Sequence, residues 1–166
     1  MTLSEFEEST VAHMQVDPPL AILDRICETA AVSCGCECAV IAYNRGNRTR
    51  IIASHGITAR FRIYEFEMSV APFDPAGIVV KTGTASDPFY SRLGVALGIP
   101  VCAAFFRIPI SITPQHAVSL ILLSAADVKK PTKAKLNLLK DAAKLAGDHI
   151  GPYFPLLDDD DARVSA

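Results

Sequence analysis

The stretch VAPFDPAGIVVKTGTASDPFYSRLGVALGIP, residues 70–100, decides the fold. Pro72, Asp74, Pro75 and Gly77 introduce Ala76–Lys81, a segment of helical length, and Thr82-Gly83-Thr84 breaks it. Ala85-Ser86-Asp87-Pro88 is turn chemistry, and Phe89–Leu97 reads as a second short helix. The stretch carries too little alternation for a sheet. It predicts a cap of short helices and loops.

Strands are expected on both sides of that cap. Cys36–Tyr43 and Arg50–His55 flank the turn Asn44-Arg45-Gly46-Asn47 and read as a hairpin. Phe61, Ile63, Tyr64, Phe66 and Met68 suggest a third strand, whose alternation slips between Ile63 and Tyr64 and so invites a bulge. After the cap, Val101–Ile110 and Ala117–Ala125 are apolar and of strand length. Helices close both ends. Leu20, Leu23, Cys27, Ala30 and Cys34 recur at alternating steps of three and four, which predicts a helix over about 20–33. Thr132 can cap a last helix reaching Ile150, with the apolar seam Leu136, Leu139, Ala143, Ala146 and Ile150. That seam has the period of paired helices and motivates a dimer. The order is helix, three strands, cap, two strands, helix. It implies an α+β layer, with antiparallel strands and both terminal helices on one face. A space between sheet and cap is where small ligands commonly bind.

Composition narrows the classes. At 166 residues, 50% hydrophobic and 20% charged, the chain suits one domain with a full core. A net charge of −2 argues against a general electrostatic grip on nucleic acid or on an anionic membrane. No apolar run reaches the roughly 20 residues that span a bilayer. The N-terminal MTLSEFEESTVAHMQVD holds four acidic residues and no Lys or Arg, unlike a secretory signal. The expected location is the cytoplasm, and the odd count of 5 cysteines fits reduced thiols. The expected organisation is a leader over 1–18, a domain over 19–151, and an acidic tail over 152–166 that includes Asp158–Asp161.

The pieces LAILDRICETAA, CAVIAY, ASHGI, GIVVKTGTASDP, AAFFRIPI and VSLILLSAADVKKPTKAKLNLLKDAAKLAGDHI, in this order and spacing, resemble a GAF domain over about residues 19–151. Gly56 matches the family's glycine after the second strand, Gly83 to Asp87 its turn from glycine to aspartate, and Pro109 its late-strand proline. The resemblance implies a six-stranded antiparallel sheet. It also implies terminal helices on one face that often form a dimer bundle, and a small-molecule pocket on the other. Such domains usually sense ligands and regulate attached signalling modules. Lys81, Asp87 and Phe89 echo the cyclic-nucleotide signature of the family, but its full Asn-Lys-Phe-Asp-Glu set is absent. Bilin-binding members use a Cys preceding a His in the cap, and members that reduce free methionine sulfoxide use cysteines in cap loops. Residues 70–100 contain neither Cys nor His.

Single residues carry weaker signals. Cys34, Cys36 and Cys38 could ligate zinc, and a strand would put Cys36 and Cys38 on one face about 7 Å apart. The C-x₂-C spacing is missing, so core packing without metal is expected. Arg107 interrupts the apolar strand AAFFRIPI. One reading is a pocket arginine meeting an anionic ligand group; the other is a strand-end residue snorkelling to solvent or pairing with Asp87 or Glu65. Phe73, Phe89, Tyr90 and Phe105 either line the sheet–cap space or fill it. His55, His116 and His149 have no partnered nucleophile in the pattern, and Lys133, Lys140 and Lys144 read as a solvated helix face. The candidate ligand contacts are therefore Phe66, Phe73, Asp87, Phe89, Tyr90, Phe105 and Arg107. No nucleophile–base pair, metal motif or phosphate loop is present, so no enzyme and no cofactor are expected. The expected partners are an unidentified small molecule and a second copy through the terminal helices. The alternative expectation is a ligand-free dimerisation module.

Overall fold

A computed structural model describes residues 20–45, 48–57, 64–66, 77–99, 101–112 and 117–154. The first helix, α1 (Leu20–Cys34), follows the predicted stripe: Leu23, Cys27, Ala30 and Cys34 are all buried. Its end is a tight turn in which the Gly35 and Cys36 N–H groups donate to the Val32 and Ala31 carbonyls at 3.2 and 2.9 Å. The last helix, α3 (Lys133–Ile150), starts at Thr132, whose Oγ1 accepts from the Lys135 N–H at 3.3 Å.

Six strands lie between them. They are β1 (Cys38–Arg45), β2 (Arg48–His55), β3 (Tyr64–Phe66), β4 (Val79–Thr82), β5 (Ala104–Ile110) and β6 (Ala117–Ser124), with α2 (Pro88–Ala96) between β4 and β5. They form one sheet in the order β3-β2-β1-β6-β5-β4, every neighbouring pair antiparallel. This agrees with the expected six-stranded α+β architecture.

Alternation sorts the sheet into two faces. Ile41, Tyr43, Phe106, Ile108, Leu120 and Leu122 join α1 and α3 in one core. Val40, Phe105, Ile121 and Leu123 join α2 in a second, smaller one. Each fully buried Leu or Ile contributes about 1.5–3 kcal/mol, so the two cores clamp the sheet from both sides. Phe154 adds to the first core beyond α3, its ring edge-on to Tyr43 at 5.3 Å. Asp24 of α1 accepts the Ser54 N–H at 3.0 Å, which ties that helix to β2.

The structure corrects three readings. The helix expected over Ala76–Lys81 is replaced where the chain is described: Val79–Thr82 is the edge strand β4, paired with β5. The β-branched run Ile78-Val79-Val80 prefers the pleat, and its partner lies a helix away in sequence. The bulge expected at Ile63/Tyr64 lies outside the described residues, and a bulge is described in β2. The β1–β2 register shifts between Ile41 and Ala42, so Ile52 is the extra residue. Cys36 and Cys38 do not share a face, because β1 begins only at Cys38; Cys36 joins the helix-side core and Cys38 the cap-side core. Finally, Leu139, Ala143, Ala146 and Ile150 are buried against the sheet of their own chain. Four of the five residues of the α3 seam are thus consumed inside the fold, and Leu136 is partly buried against the same core.

Candidate functional site

The face of the sheet turned away from α1 and α3 divides into two halves. At one end Cys38 and Val40 of β1, Ile51 of β2, Phe105 of β5, and Ile121 and Leu123 of β6 are apolar. Helix α2 covers them with Tyr90 and Leu93. The Tyr90 and Phe105 rings lie 5.2 Å apart at 53°, and Phe89 meets Tyr90 edge-on at 5.1 Å. This half is filled by side chains.

At the other end the same face is polar. Arg107 shares the cap-facing side of β5 with Phe105, about 7 Å along the strand. It is only 1% exposed, and its Nε donates to Ser119 Oγ at 2.9 Å. The snorkelling alternative is thereby overturned: a guanidinium this deep is held by hydrogen bonds, not by water. Next to Ser119 in the sheet, Thr49 Oγ1 donates to Asn44 Oδ1 at 3.1 Å, and both residues are buried. Sequence reasoning missed Asn44, Thr49 and Ser119. The available signal was a polar residue at alternate positions of otherwise apolar strands, as in VSLILL.

An open cleft of about 750 Å³ runs along the edge of this face, from Lys81 of β4 to Tyr90 of α2. Its wall is built by local stitching. Thr84 Oγ1 donates to the Cys102 carbonyl at 2.6 Å, and the Thr84 N–H donates to the Ala103 carbonyl at 3.0 Å. Asp87 caps α2, its Oδ1 accepting the Phe89 N–H at 2.9 Å. Burial, then the Asp87 charge, pushes the Tyr90 phenol up to about 12, so it stays a neutral hydrogen-bonding group at physiological pH.

Of the candidate contacts, Asp87, Phe89 and Tyr90 line this cleft, Phe105 lies under Tyr90, and Arg107 stands in the polar half. The backbone of Phe66 pairs with Thr49 in β3, four strands from β5. At about 4.8 Å per strand the backbones of those two strands stand about 19 Å apart. Phe73 lies outside the described residues.

The thiols are buried and free of disulfides. Burial raises Cys36 and Cys38 to about 12 and Cys102 to about 11, and pushes Cys27 and Cys34 up as well. Among the described residues no group of three or more His, Cys, Asp or Glu side chains could hold a metal ion. A folded-state acid with a raised pKa stabilises fully below its unfolded value, 9.0 for these thiols, and loses that contribution as pH climbs through the folded values. Urea midpoints are therefore expected to hold up to about pH 9 and then fall steeply, by about 1.4 kcal/mol per pH unit for each fully buried thiol. A flat profile through pH 11 would show the thiols to be solvated.

No protein-family model matches the sequence, and no curated protein is similar to it. Solved structures do match. The blue-light absorbing form of the Thermosynechococcus elongatus PixJ GAF domain is 15% identical at a TM-score of 0.62, with 99% of this chain and 97% of that one covered. The GAF domain of a candidate sensor histidine kinase from Pseudomonas syringae pv. tomato is 13% identical at a TM-score of 0.57, covering 95% and 99%. A type II free methionine-R-sulfoxide reductase from Thermoplasma acidophilum is 10% identical at 0.56, covering 81% and 93%. The chain has the GAF-domain fold. No helix among the described residues is long and apolar enough to cross a membrane.

Proposed function

We propose that this chain is a non-catalytic sensory or regulatory module of the GAF type. It binds a small molecule on the cap-facing side of its sheet and signals, as a homodimer, through its terminal helices. The observation that carries this reading is the open cleft at the α2 start, where Lys81, Ser86, Phe89 and Tyr90 converge beside a filled apolar core. An aromatic wall with a few polar groups suits a small organic ligand. The protonated thiols support a non-catalytic role, since the thiolate is the nucleophile and these five are held away from it. The reductase with the same fold leaves the fold itself neutral between sensing and chemistry. Nucleic acid and membrane remain outside the reading, as the charge balance argues.

Native mass spectrometry of freshly purified protein, followed by thermal shifts against a library of small metabolites, tests the ligand. A binder at about a hundred times its Kd adds about 2.7 kcal/mol of stability. Ser86→Trp at the exposed rim is expected to leave the basal Tm in place and abolish that shift. A bare mass and no shift from any compound would end the ligand reading. The ligand-free dimerisation module would then stand, which the Tyr90–Phe105 packing under α2 already favours for the apolar half.

A further inference from the structure

A second cleft, of about 470 Å³, lies on the helix side of the sheet, between α3 and the outer end of β5. The sheet edge steps back there. Strand β4 pairs with β5 only from Val79, opposite Arg107, to Thr82, opposite Ala104. Among the described residues β5 runs on to Ile110 with β6 alone beside it. Pro109 has no N–H with which to hold another strand. Ile78, just ahead of β4, is left 39% exposed. Helix α3 closes in on the same stretch, where a Cβ on Gly147 would stand 3.2 Å from Ile110 Cγ2. The step in the edge and the helix beside it leave a hollow, walled by Ile78, Ile108 and Pro109.

The opposite bank is charged. Lys140 and Lys144 stand one helical turn apart on α3, both exposed and both lining the cleft. Like charges at that spacing repel each other on a helix. An anion seated between them replaces the repulsion with two attractions. Asp148 lies a further turn along, so Lys140 to Asp148 spans about 12 Å of helix rise. Its carboxylate opposes a second negative charge, and the cleft therefore suits a single one. The face that the sequence presents as simply solvated thus divides: Lys140 and Lys144 border an apolar hollow, while Lys133 does not.

We infer that this cleft is a second ligand site, for a free small molecule with one carboxylate on an apolar body. The carboxylate lies between Lys140 and Lys144, and the body lies over Ile78, Ile108 and Pro109. A hollow of a few hundred Å³ with an apolar wall and a few charged groups has the size and make-up of a small-molecule site. The inference is independent of the cap-side reading, because the two clefts share no residue.

Titration of octanoate into the isotope-labelled full chain, followed through amide chemical shifts, tests it. Saturable shifts are expected at Ile78, Ile108 and Ser111. Octan-1-ol lacks the charge and acetate lacks the body, and both are expected to leave these amides in place. Lys140→Glu with Lys144→Glu is expected to weaken octanoate binding by about tenfold or more. Lys130→Glu with Lys133→Glu makes the same change of charge outside the cleft and is expected to alter it by about twofold or less. All four lysines are exposed, and an unchanged Tm confirms folding. Ser86→Trp, at the other cleft, is expected to leave octanoate binding as it is. Equal shifts with octan-1-ol, equal weakening by the two double variants, or no saturable shift at these amides would overturn the site without touching the cap-side reading. Octanoate shifts confined to Phe89 and Tyr90 would overturn it too, and would put the acid in the cap-side cleft.

Discussion

Gly56→Ala is expected to lose about 3–5 kcal/mol of stability, the sum of a conformational and a steric penalty. Gly56 ends β2 at φ +78°, where an L side chain is strained by about 1–2 kcal/mol. A Cβ there would also stand 2.0 Å from the Glu37 carbonyl oxygen and 3.3 Å from the Cys38 Cα. Both are backbone atoms at the start of β1, and neither can turn aside. The exit of β2 and the entry of β1 would have to separate, opening the end of the sheet that α2 covers. Gly83→Ala is the matched control. It has a similar φ of +65° but nothing within 4 Å of the added carbon, so it is expected to show the conformational penalty alone. Urea unfolding of the two variants separates the effects. Equal losses would show that the β1–β2 approach is looser than the structure has it.

Arg107→Ala is expected to be about as damaging, about 3–5 kcal/mol. The substitution empties a large buried volume and removes the donor to Ser119 Oγ. It also strips what else Arg107 interacts with. Ser119→Ala removes only one bond to a charged group and is expected to lose about 1.5–3 kcal/mol. If Arg107→Ala lost less than about 1 kcal/mol, its side chain would have to reach water, contrary to its burial. The same variant probes the ligand side. Its effect on any thermal shift found for the wild type would report whether the polar half of the sheet contributes to binding.

Both positions could be read in part from sequence. Gly56 matched a family glycine, and Arg107 stood out as one charge in an apolar strand. The helices were legible because a stripe at steps of three and four is a local property, and Leu23 to Cys34 fell where the stripe put them. The long strands were legible for the same reason. Val79–Thr82 was not, because three half-buried residues and an exposed lysine beside a proline-rich stretch carry no period of their own. That segment becomes a strand only by pairing with β5, which arrives after α2. The polar cluster was hidden by the same non-locality. Arg107, Ser119, Asn44 and Thr49 come from four strands, and only the cross-strand register brings them together. The α3 seam misled in the opposite way. Its spacing is that of paired helices, yet a sheet satisfies the same apolar stripe, and a stripe does not say what it packs against.

The extra residue in β2 changes the parity of the strand. Thr49 and Ile51, odd-numbered, stand on the same side as the even-numbered Ser54, while Ile52 and the odd-numbered Ala53 point together to the other. Counting odd and even along the strand therefore gives the wrong side for half of it. A relative with a straight β2 would present the same two sides with one position fewer. The gap in an alignment with such a relative belongs opposite Ile52; shifted by a few letters, it would swap inward for outward over every residue in between.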